Sequence, residues 1–282
     1  MEIKTVGIVG AGLMGAGIAQ VCASAGLTVR LYDISESAVQ AGITRIDTSL
    51  ERLAAKQKIS AQERAAVLER IQRAAALDDL GECDFLIEAA TENLAIKQGI
   101  LQSLDAVARP DSLIATNTSS VSITKLAASL AQPARLVGMH FFNPVPVMGL
   151  VEVIRGIQTS DAAFAATLAL AQRIGKTAVG VRNAPGFVVN RILVPMINEA
   201  IFVLQEGLAS AEDIDAGMKL GANHPIGPLA LADLIGLDTL LAVMDVFYHD
   251  FNDSKYRPAL LLREMVDAGR LGRKSGQGFY AY

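Results

Sequence analysis

The feature that most constrains the fold of this chain is a glycine pattern near its beginning. An apolar run ends in Gly10, Gly12 and Gly15, and an apolar helical pattern follows without a break. Gly10 suits the tight turn off a strand, Gly12 a close backbone approach to phosphate, and Gly15 the packing of the new helix on the sheet. The helix N-terminus offers free N–H groups and a partial positive charge. The segment therefore predicts a site for the pyrophosphate of a dinucleotide.

A second predicted strand, residues 28–33, ends in Asp33, about 20 residues past the glycines, where a carboxylate binds the adenosine ribose. A carboxylate there repels a 2′-phosphate, and no arginine follows it to accommodate one, so NAD is favoured over NADP. Asp also ends strands as a plain turn residue, but the glycine pattern before it favours the ribose role. The predicted cofactor-binding loop comprises Gly10, Ala11, Gly12, Leu13, Met14 and Gly15.

Composition limits the choice of compartment and partner. The chain has 282 residues, is 51% hydrophobic and carries a net charge of −4, which gives no general basic field for nucleic acid or an anionic membrane. Cys22 and Cys83 show neither C-x-x-C nor metal-type spacing, so we expect bystander thiols in a reducing compartment and no metal. The first strand begins at once, and no apolar run is long enough to span a bilayer. We expect a soluble cytoplasmic protein.

Strands and helices alternate through the first part of the chain, which predicts an α/β fold with a Rossmann-type, doubly wound parallel sheet. The predicted strands after Asp33 are residues 85–88, 113–116, 136–142, 150–154 and 177–181. The stretch Asn183-Ala184-Pro185-Gly186 marks a boundary, giving a dinucleotide-binding domain at 1–184 and a smaller all-helical domain at 185–282. Its first helix, within 187–204, is apolar on nearly every face, so we expect it to be covered by its own domain and by a partner subunit. Later helices are predicted at 212–220, 229–248 and 258–268.

Residues 35–73 form a predicted helical arm, long for a simple crossover. Ile43, Ile46, Leu50 and Leu53 recur at helical spacing, with basic residues at other positions. The arm is either a solvated amphipathic face or a basic surface for a phosphorylated substrate tail.

The segment from Gly138 to Glu152 carries the candidate chemistry. His140 lies in an apolar strand that should end at the carboxyl edge of the sheet, where open α/β sheets bind ligands. Pro144 and Pro146 favour a turn, and Glu152 lies as far beyond Pro146 as His140 lies before it. A chain that folds back there brings imidazole and carboxylate together. This pair suits an alcohol dehydrogenation, since a base must take the hydroxyl proton and a carboxylate stabilises the imidazolium that forms.

Several longer motifs closely resemble the L-3-hydroxyacyl-CoA dehydrogenase family. They are NTSS (117–120), MHFFNPVPVM (139–148), LVEVI (150–154), APGFVVNRILVP (184–195) and GRKSGQGFYAY (272–282). The resemblance spans essentially the whole chain. The length of the chain is similar to that of the bacterial 3-hydroxybutyryl-CoA dehydrogenases. It implies NAD-dependent, reversible oxidation of (S)-3-hydroxybutyryl-CoA or a related 3-hydroxyacyl-CoA to the 3-oxoacyl-CoA, and a homodimer formed through the helical domain.

The resemblance also implies roles for individual residues. His140 is the base and Glu152 its partner, while Ser119 and Asn190 hold the 3-oxygen and thioester region of the substrate. Further cofactor contacts are Glu92, Lys97, Asn117, Asn143 and Lys274, although Glu92 and Lys97 could equally form a pair on a helix surface. Ser49 and Lys56 match positions where the arm of the family binds coenzyme A, and an ammonium offers a point charge to phosphate.

Three alternatives stay open. One is an NAD-dependent dehydrogenase of a free hydroxy acid or sugar acid, such as L-gulonate, on the same scaffold. Another, the lysine-dependent 3-hydroxyisobutyrate and phosphogluconate group, is poorly supported, because the helix after Gly186 has Asn190 without a nearby lysine. The last is a non-catalytic NAD-binding protein with a structural or redox-sensing role.

Overall fold

The structure, a computed structural model, describes residues 2–282. The chain divides into two compact units, a first unit that ends at Ala184 and a second unit, Pro185–Tyr282. The strands of the first unit are β1 (Thr5–Val9), β2 (Thr28–Tyr32), β3 (Ile71–Arg73), β4 (Phe85–Glu88), β5 (Leu113–Thr116), β6 (Leu136–Phe141), β7 (Leu150–Arg155) and β8 (Thr177–Arg182). Its helices are α1 (Leu13–Ser24), α2 (Glu36–Ala55), α3 (Ala61–Glu69), α4 (Leu94–Val107), α5 (Ile123–Ala127) and α6 (Asp161–Arg173).

The eight strands form one sheet in the order β3-β2-β1-β4-β5-β6-β7-β8. The predicted doubly wound fold is confirmed, and the chain reverses direction in strand order between β1 and β4, where such sheets open a ligand crevice. The central strands are buried on both faces, so they read as nearly continuous apolar runs, and Val6, Ile8 and Ile87 are fully buried. Each such side chain contributes about 1.5–3 kcal/mol by leaving water.

Two strands depart from the sequence prediction. The sheet is mostly rather than wholly parallel, because β7 runs antiparallel to β6 while β8 is parallel to β7. The predicted helical arm ends earlier than Arg73, since Ile71–Arg73 is the edge strand β3, paired parallel to β2. This strand has three residues with only Ile71 buried, too little apolar pattern to show in the sequence.

The arm itself consists of α2 and α3. Ser35 caps α2 by accepting a hydrogen bond from the Ala38 N–H, and Ser60 with Glu63 forms a capping box at α3. These caps fix where both helices begin. The apolar side chains predicted at helical spacing pack inward, and Ile46 and Leu50 are buried in the core of the first unit.

The second unit is all helical, with α7 (Val189–Gln205), α8 (Ala211–Gly221), α9 (Pro228–Ile235), α10 (Leu237–Phe251) and α11 (Leu260–Asp267). The single helix predicted for 229–248 is wrong, because Gly236 breaks it into α9 and α10. Gly236 has φ +102°, a conformation that L side chains rarely adopt. The helix expected to be covered by its own domain and by a partner subunit is α7, and its Ile192 is 68% exposed in the single chain, so the covering by a partner stays a prediction. No helix within residues 2–282 has both the length and the apolar character needed to cross a membrane.

Candidate active site

The glycine loop joins β1 to α1 in the way its sequence predicts. Gly10 has φ +102°, and a Cβ there would lie 2.6 Å from the Ala89 carbonyl oxygen. A Cβ on Gly15 would lie 1.7 Å from the Gly10 carbonyl oxygen, so α1 packs directly against the turn. A Cβ on Gly12 would meet no described protein atom within 4 Å. Packing within the protein therefore explains Gly10 and Gly15, while Gly12 leaves space for a ligand.

The start of α1 is open to an anion. Gly12 is its N-cap and provides no side-chain cap, and no acidic residue lies in the first turn, which includes Leu13 and Met14. The first N–H groups of such a helix have no partner within the helix. Together with the space at Gly12, they form a cradle of suitable chemistry for a pyrophosphate.

Asp33 follows β2 at the same edge of the sheet. Its Oδ2 accepts a hydrogen bond from the Ala11 N–H at 2.8 Å, and its Oδ1 accepts one from the Ser35 N–H at 3.1 Å. These bonds fix the carboxylate, and each oxygen retains a lone pair for a ribose hydroxyl. A cavity of about 450 Å³ adjoins it and is mostly apolar, lined by Gly10, Asp33 and Ile96 among others. The loop, the carboxylate and the cavity fit an adenine dinucleotide.

A buried ion pair lies at the end of β4. Lys97 Nζ is 2.8 Å from Glu88 Oε2, and both residues are at most 1% exposed. The Thr116 hydroxyl and the Ala90 N–H also donate to the Glu88 carboxylate. The alternative of a surface pair between Glu92 and Lys97 is therefore wrong, because Glu92 precedes α4 and Lys97 points inward to Glu88.

Glu92 instead holds the loop after β5. Its carboxylate accepts hydrogen bonds from the Thr118 hydroxyl at 2.6 Å, the Ser119 N–H at 2.9 Å and the Ser119 hydroxyl at 3.2 Å. Asn117, at the start of this loop, accepts a hydrogen bond from the Phe141 N–H through its side chain. The ends of β5 and β6 are thus tied together, and Ser119 is held beside the end of β6.

His140 and Glu152 are directly opposed in the β6–β7 pair. His140 Nδ1 lies 2.8 Å from Glu152 Oε2, and the two residues are 5% and 1% exposed. The Phe142 ring packs on the imidazole with 4.5 Å between ring centroids. The sequence prediction that the chain folds back and brings these two side chains together agrees with this geometry. Because the carboxylate binds one ring nitrogen, Nδ1, the other, Nε2, is the one suited to accept or donate a proton in a reaction.

The loop between β6 and β7 is held by a lysine that the sequence did not single out. Lys176 Nζ donates to the carbonyl oxygens of Val145 and Met148 at 2.6 and 2.7 Å. Burial lowers the pKa of Lys176. The loop includes Asn143, a predicted cofactor contact. No sequence signal identifies this role, because Lys176 lies 24 residues beyond Glu152 and its contact depends on how α6 packs.

The arm borders the same region. A groove of about 120 Å³ is lined by residues of α1, by Arg45 and Ser49 of α2, and by the loop that includes Asn143 and Pro146. Lys56 is exposed at the C-cap of α2. Arg64 is neutralised, since it forms an ion pair with Asp47 at 2.6 Å. The basic character of the arm is therefore local to α2.

Family models match both units. The one described as "3-hydroxyacyl-CoA dehydrogenase, NAD binding domain" matches residues 5–184, and the one described as "3-hydroxyacyl-CoA dehydrogenase, C-terminal domain" matches residues 186–282. The chain belongs to the 3-hydroxyacyl-CoA dehydrogenase family. The resemblance noted in the sequence and the expectation of NAD are thereby confirmed.

Individual members of this family match the chain over its whole length. The solved (S)-3-hydroxybutyryl-CoA dehydrogenase PaaH1 from Ralstonia eutropha is 60% identical with a TM-score of 0.98, covering 100% of this chain and 99% of that chain. A probable 3-hydroxybutyryl-CoA dehydrogenase from Bacillus subtilis is 52% identical and covers 100% of this chain and 98% of the relative. The 3-hydroxybutyryl-CoA dehydrogenase of Bradyrhizobium diazoefficiens is 50% identical, covering 99% and 96%.

Two of the site residues predicted for this chain lie in its second unit. Asn190 is in the first turn of α7 and is partly buried. Lys274 lies in the C-terminal segment, where its Nζ is 2.6 Å from Asp238 Oδ2. Burial by itself raises the pKa of Asp238, but the hydrogen bond and charge of Lys274 together with backbone N–H groups outweigh it, so that the pKa is lowered. Lys274 is thus held in an ion pair on the surface of its unit.

Glu88 is the other residue that sequence reasoning missed. Its signal was present, because an acid at the end of an apolar strand lies at the ligand-binding edge of a parallel sheet. Its lysine partner could not be read from spacing, since the two belong to different elements. No group of three or more His, Cys, Asp or Glu side chains suited to a metal ion occurs in the described part of the chain.

Proposed function

We propose that this protein catalyses the reversible oxidation of (S)-3-hydroxybutyryl-CoA to acetoacetyl-CoA. The observation that carries the proposal is the buried His140–Glu152 pair at 2.8 Å, at the sheet edge that also holds the glycine loop and Asp33. The choice of acyl group is supported by relatives named 3-hydroxybutyryl-CoA dehydrogenase at 50–60% identity over nearly the full chain. Other relatives carry the broader name 3-hydroxyacyl-CoA dehydrogenase, so the acyl chain length is the finer question.

The chemistry follows from the pair. Bound NAD supplies the acceptor for the hydride that leaves C3 of the substrate. Glu152 holds Nδ1 of His140, so Nε2 is the nitrogen that takes the proton of the 3-hydroxyl group. The positive charge then formed on the imidazole lies beside a carboxylate in a buried setting, where their attraction is little screened. In the reverse direction the same nitrogen returns the proton to the 3-oxo group.

Ser119 and Asn190 are proposed to bind the 3-oxygen and the thioester region. Glu92 fixes Ser119 through both its N–H and its hydroxyl group, which supports a precise placement of that hydroxyl. For the cofactor we propose the glycine loop, Asp33, Glu92, Asn143 and Lys274 as direct contacts. Lys97 and Asn117 are both buried and hydrogen-bonded within the first unit. We assign these two residues to the floor of the cofactor site.

We propose that coenzyme A binds along α2. Ser49 lines the groove beside the loop after His140, and Lys56 lies two helical turns further on the same side of α2. No acidic side chain forms an ion pair with Lys56 among the described residues, so its ammonium is available to a phosphate.

We further propose a cytoplasmic homodimer joined through the second unit, which also forms part of the substrate site. Apolar side chains that are exposed in the single chain, such as Ile192 and Leu260, support a surface that a second subunit covers. Cys22 and Cys83 are free and buried, which fits a reducing compartment. The mass in solution from light scattering, and cell fractionation, test these two assignments.

The substrate proposal is tested by following NADH consumption with acetoacetyl-CoA, longer 3-oxoacyl-CoA esters and free acetoacetate. We expect the highest kcat/KM for acetoacetyl-CoA and little turnover of the free acid. A preference for a longer ester would correct the acyl chain length only. Comparable turnover of free acetoacetate would instead favour a dehydrogenase of free hydroxy acids.

A further inference from the structure

Two cavities of the first unit meet at the end of β2, since Tyr32, Asp33 and Ile34 line both. The larger one includes Gly10 and residues of α4. The smaller one, about 320 Å³, extends the other way and is lined by Glu36, Val39, Arg73, Ala74 and Ala75. Asp33 thus stands between a mostly apolar cavity and one that contains charged side chains of both signs.

Arg73 reaches this position through strand pairing. It lies opposite Leu31 in the parallel β2–β3 pair, and the Ala74 N–H donates to the Leu31 carbonyl oxygen. The carboxyl ends of β2 and β3 therefore meet at the same edge, and Arg73 faces the cavity that Asp33 borders. Its guanidinium donates to the Gln40 side chain of α2. No carboxylate within residues 2–282 forms an ion pair with Arg73.

This arrangement adds to the sequence-based statement that no arginine follows Asp33. No arginine follows it closely in the chain, but Arg73 comes from the neighbouring strand and lines the same cavity. In dinucleotide-binding sheets a carboxylate at this position binds the ribose 2′-hydroxyl, whereas a nearby arginine accommodates a 2′-phosphate. Here one cavity presents both groups.

We propose that Arg73 is a second specificity-determining residue of the nucleotide site, whose guanidinium binds the 2′-phosphate of NADP(H). The proposal rests on the adenosine site assigned under the proposed function. Discrimination against NADP(H) is then due to acidic side chains alone, not to the lack of a cation. Asp33 and Glu36 present two carboxylates to the cavity against one guanidinium, and this balance favours an uncharged 2′-hydroxyl.

Removal of one carboxylate should expose the phosphate site. Asp33→Asn keeps the size of the side chain and one oxygen that can accept from the Ala11 N–H, while the weaker bond from the Ser35 N–H is lost, so the loop keeps the shorter of its two contacts with residue 33. The fragments adenosine 2′,5′-bisphosphate and adenosine 5′-monophosphate differ only in the 2′-phosphate. Their dissociation constants, measured by calorimetry, report on this group without any turnover.

In the Asp33→Asn variant we expect the affinity ratio of bisphosphate to monophosphate to rise about tenfold, because a carboxylate that repels the 2′-phosphate is removed and no longer offsets the attraction of Arg73. Adding Arg73→Ala should cancel most of that rise and leave monophosphate binding unchanged. Arg73→Lys should retain part of it, since an ammonium provides one charge without the paired donors. Arg270→Ala, which removes an exposed arginine of the second unit, is the matched control for net charge and should change neither constant.

The proposal is overturned if Arg73→Ala leaves the ratio unchanged in the Asp33→Asn background, or if Arg270→Ala lowers it equally. Loss of monophosphate binding in every Arg73 variant would also overturn it, because Arg73 would then support the nucleotide site as a whole. NADH turnover with acetoacetyl-CoA, measured on the same variants, tests the proposed function separately, since fragment binding does not depend on the substrate.

Discussion

Replacement of Glu152 by glutamine tests the catalytic pair most directly. Glutamine matches glutamate in size and removes only the charge, in a side chain that is 1% exposed and 2.8 Å from His140 Nδ1. A hydrogen bond to a charged group contributes about 1.5–3 kcal/mol. Loss of the orienting carboxylate in a catalytic triad costs up to about 10⁴-fold when the imidazole adopts the wrong tautomer.

The glutamine oxygen can still accept from Nδ1–H, so part of the orientation should survive. We therefore expect kcat to fall by roughly 10²–10³-fold, which is about 3–4 kcal/mol of activation free energy. NADH affinity should stay nearly constant, because Glu152 acts through His140. The assay is NADH consumption with acetoacetyl-CoA, with NADH binding and the melting temperature measured on the same preparations. Glu69→Gln, at an exposed site, is the control for the substitution itself.

The double variant His140→Gln/Glu152→Gln decides whether the two residues act as a unit. His140→Gln alone should lower kcat by about 10²–10⁴-fold. If Glu152 works through His140, the double variant should be no slower than His140→Gln within about twofold. Losses that multiply, or a Glu152→Gln enzyme that keeps more than half its turnover, would refute the pairing.

Other predictions concern the arm, the loop and the acid stability of the first unit. Lys56→Ala should raise KM for acetoacetyl-CoA more than for a truncated thioester without the nucleotide. Equal effects on the two KM values would mean that Lys56 does not bind the nucleotide part of coenzyme A. Lys176→Met should speed amide hydrogen exchange at Val147 and Met148, whereas unchanged exchange would mean that the lysine does not hold the loop. Burial raises the pKa of Asp84, but hydrogen bonds from backbone N–H groups and a guanidinium outweigh it and lower the pKa from 3.8 to about 2. Asp84 therefore stabilises the fold above pH 3.8 and loses this effect as the pH falls towards 2. Asp84→Asn should cost about 1–2 kcal/mol at neutral pH and less in acid, by urea unfolding, and a cost independent of pH would contradict the assignment.

Local patterns explain why much of the fold was predictable. The glycine loop, the buried strands and the return of the chain after His140 are all encoded within a few neighbouring residues, so periodicity and turn residues suffice to predict them. The short strand β3 and the break at Gly236 were missed because neither carries a sufficient local pattern. Three residues at a sheet edge carry almost no apolar pattern, and one glycine in an apolar run does not reveal its φ angle.

Side-chain contacts between different helices and strands were harder to predict from the sequence. Lys97 pairs with Glu88 and Glu92 holds Ser119, whereas the sequence left open a surface pair of Glu92 with Lys97. The pair does not form because Glu92 lies before α4 and five residues before Lys97, so the two side chains do not share a helix face. Arg73 is a similar case, since its proximity to Asp33 follows only from the order of the strands.

Strand register is what makes His140 and Glu152 a pair. In the antiparallel β6–β7 ladder their neighbours, Met139 with Val153 and Phe141 with Val151, point to the opposite face and are buried in the apolar core. A slip of one residue would place a valine opposite His140 and turn a carboxylate into that core. The cost of burying an unpaired charge therefore opposes the same slip that would abolish the pair. Core packing and catalytic geometry thus select one register, and the loop held by Lys176 has the length that permits it.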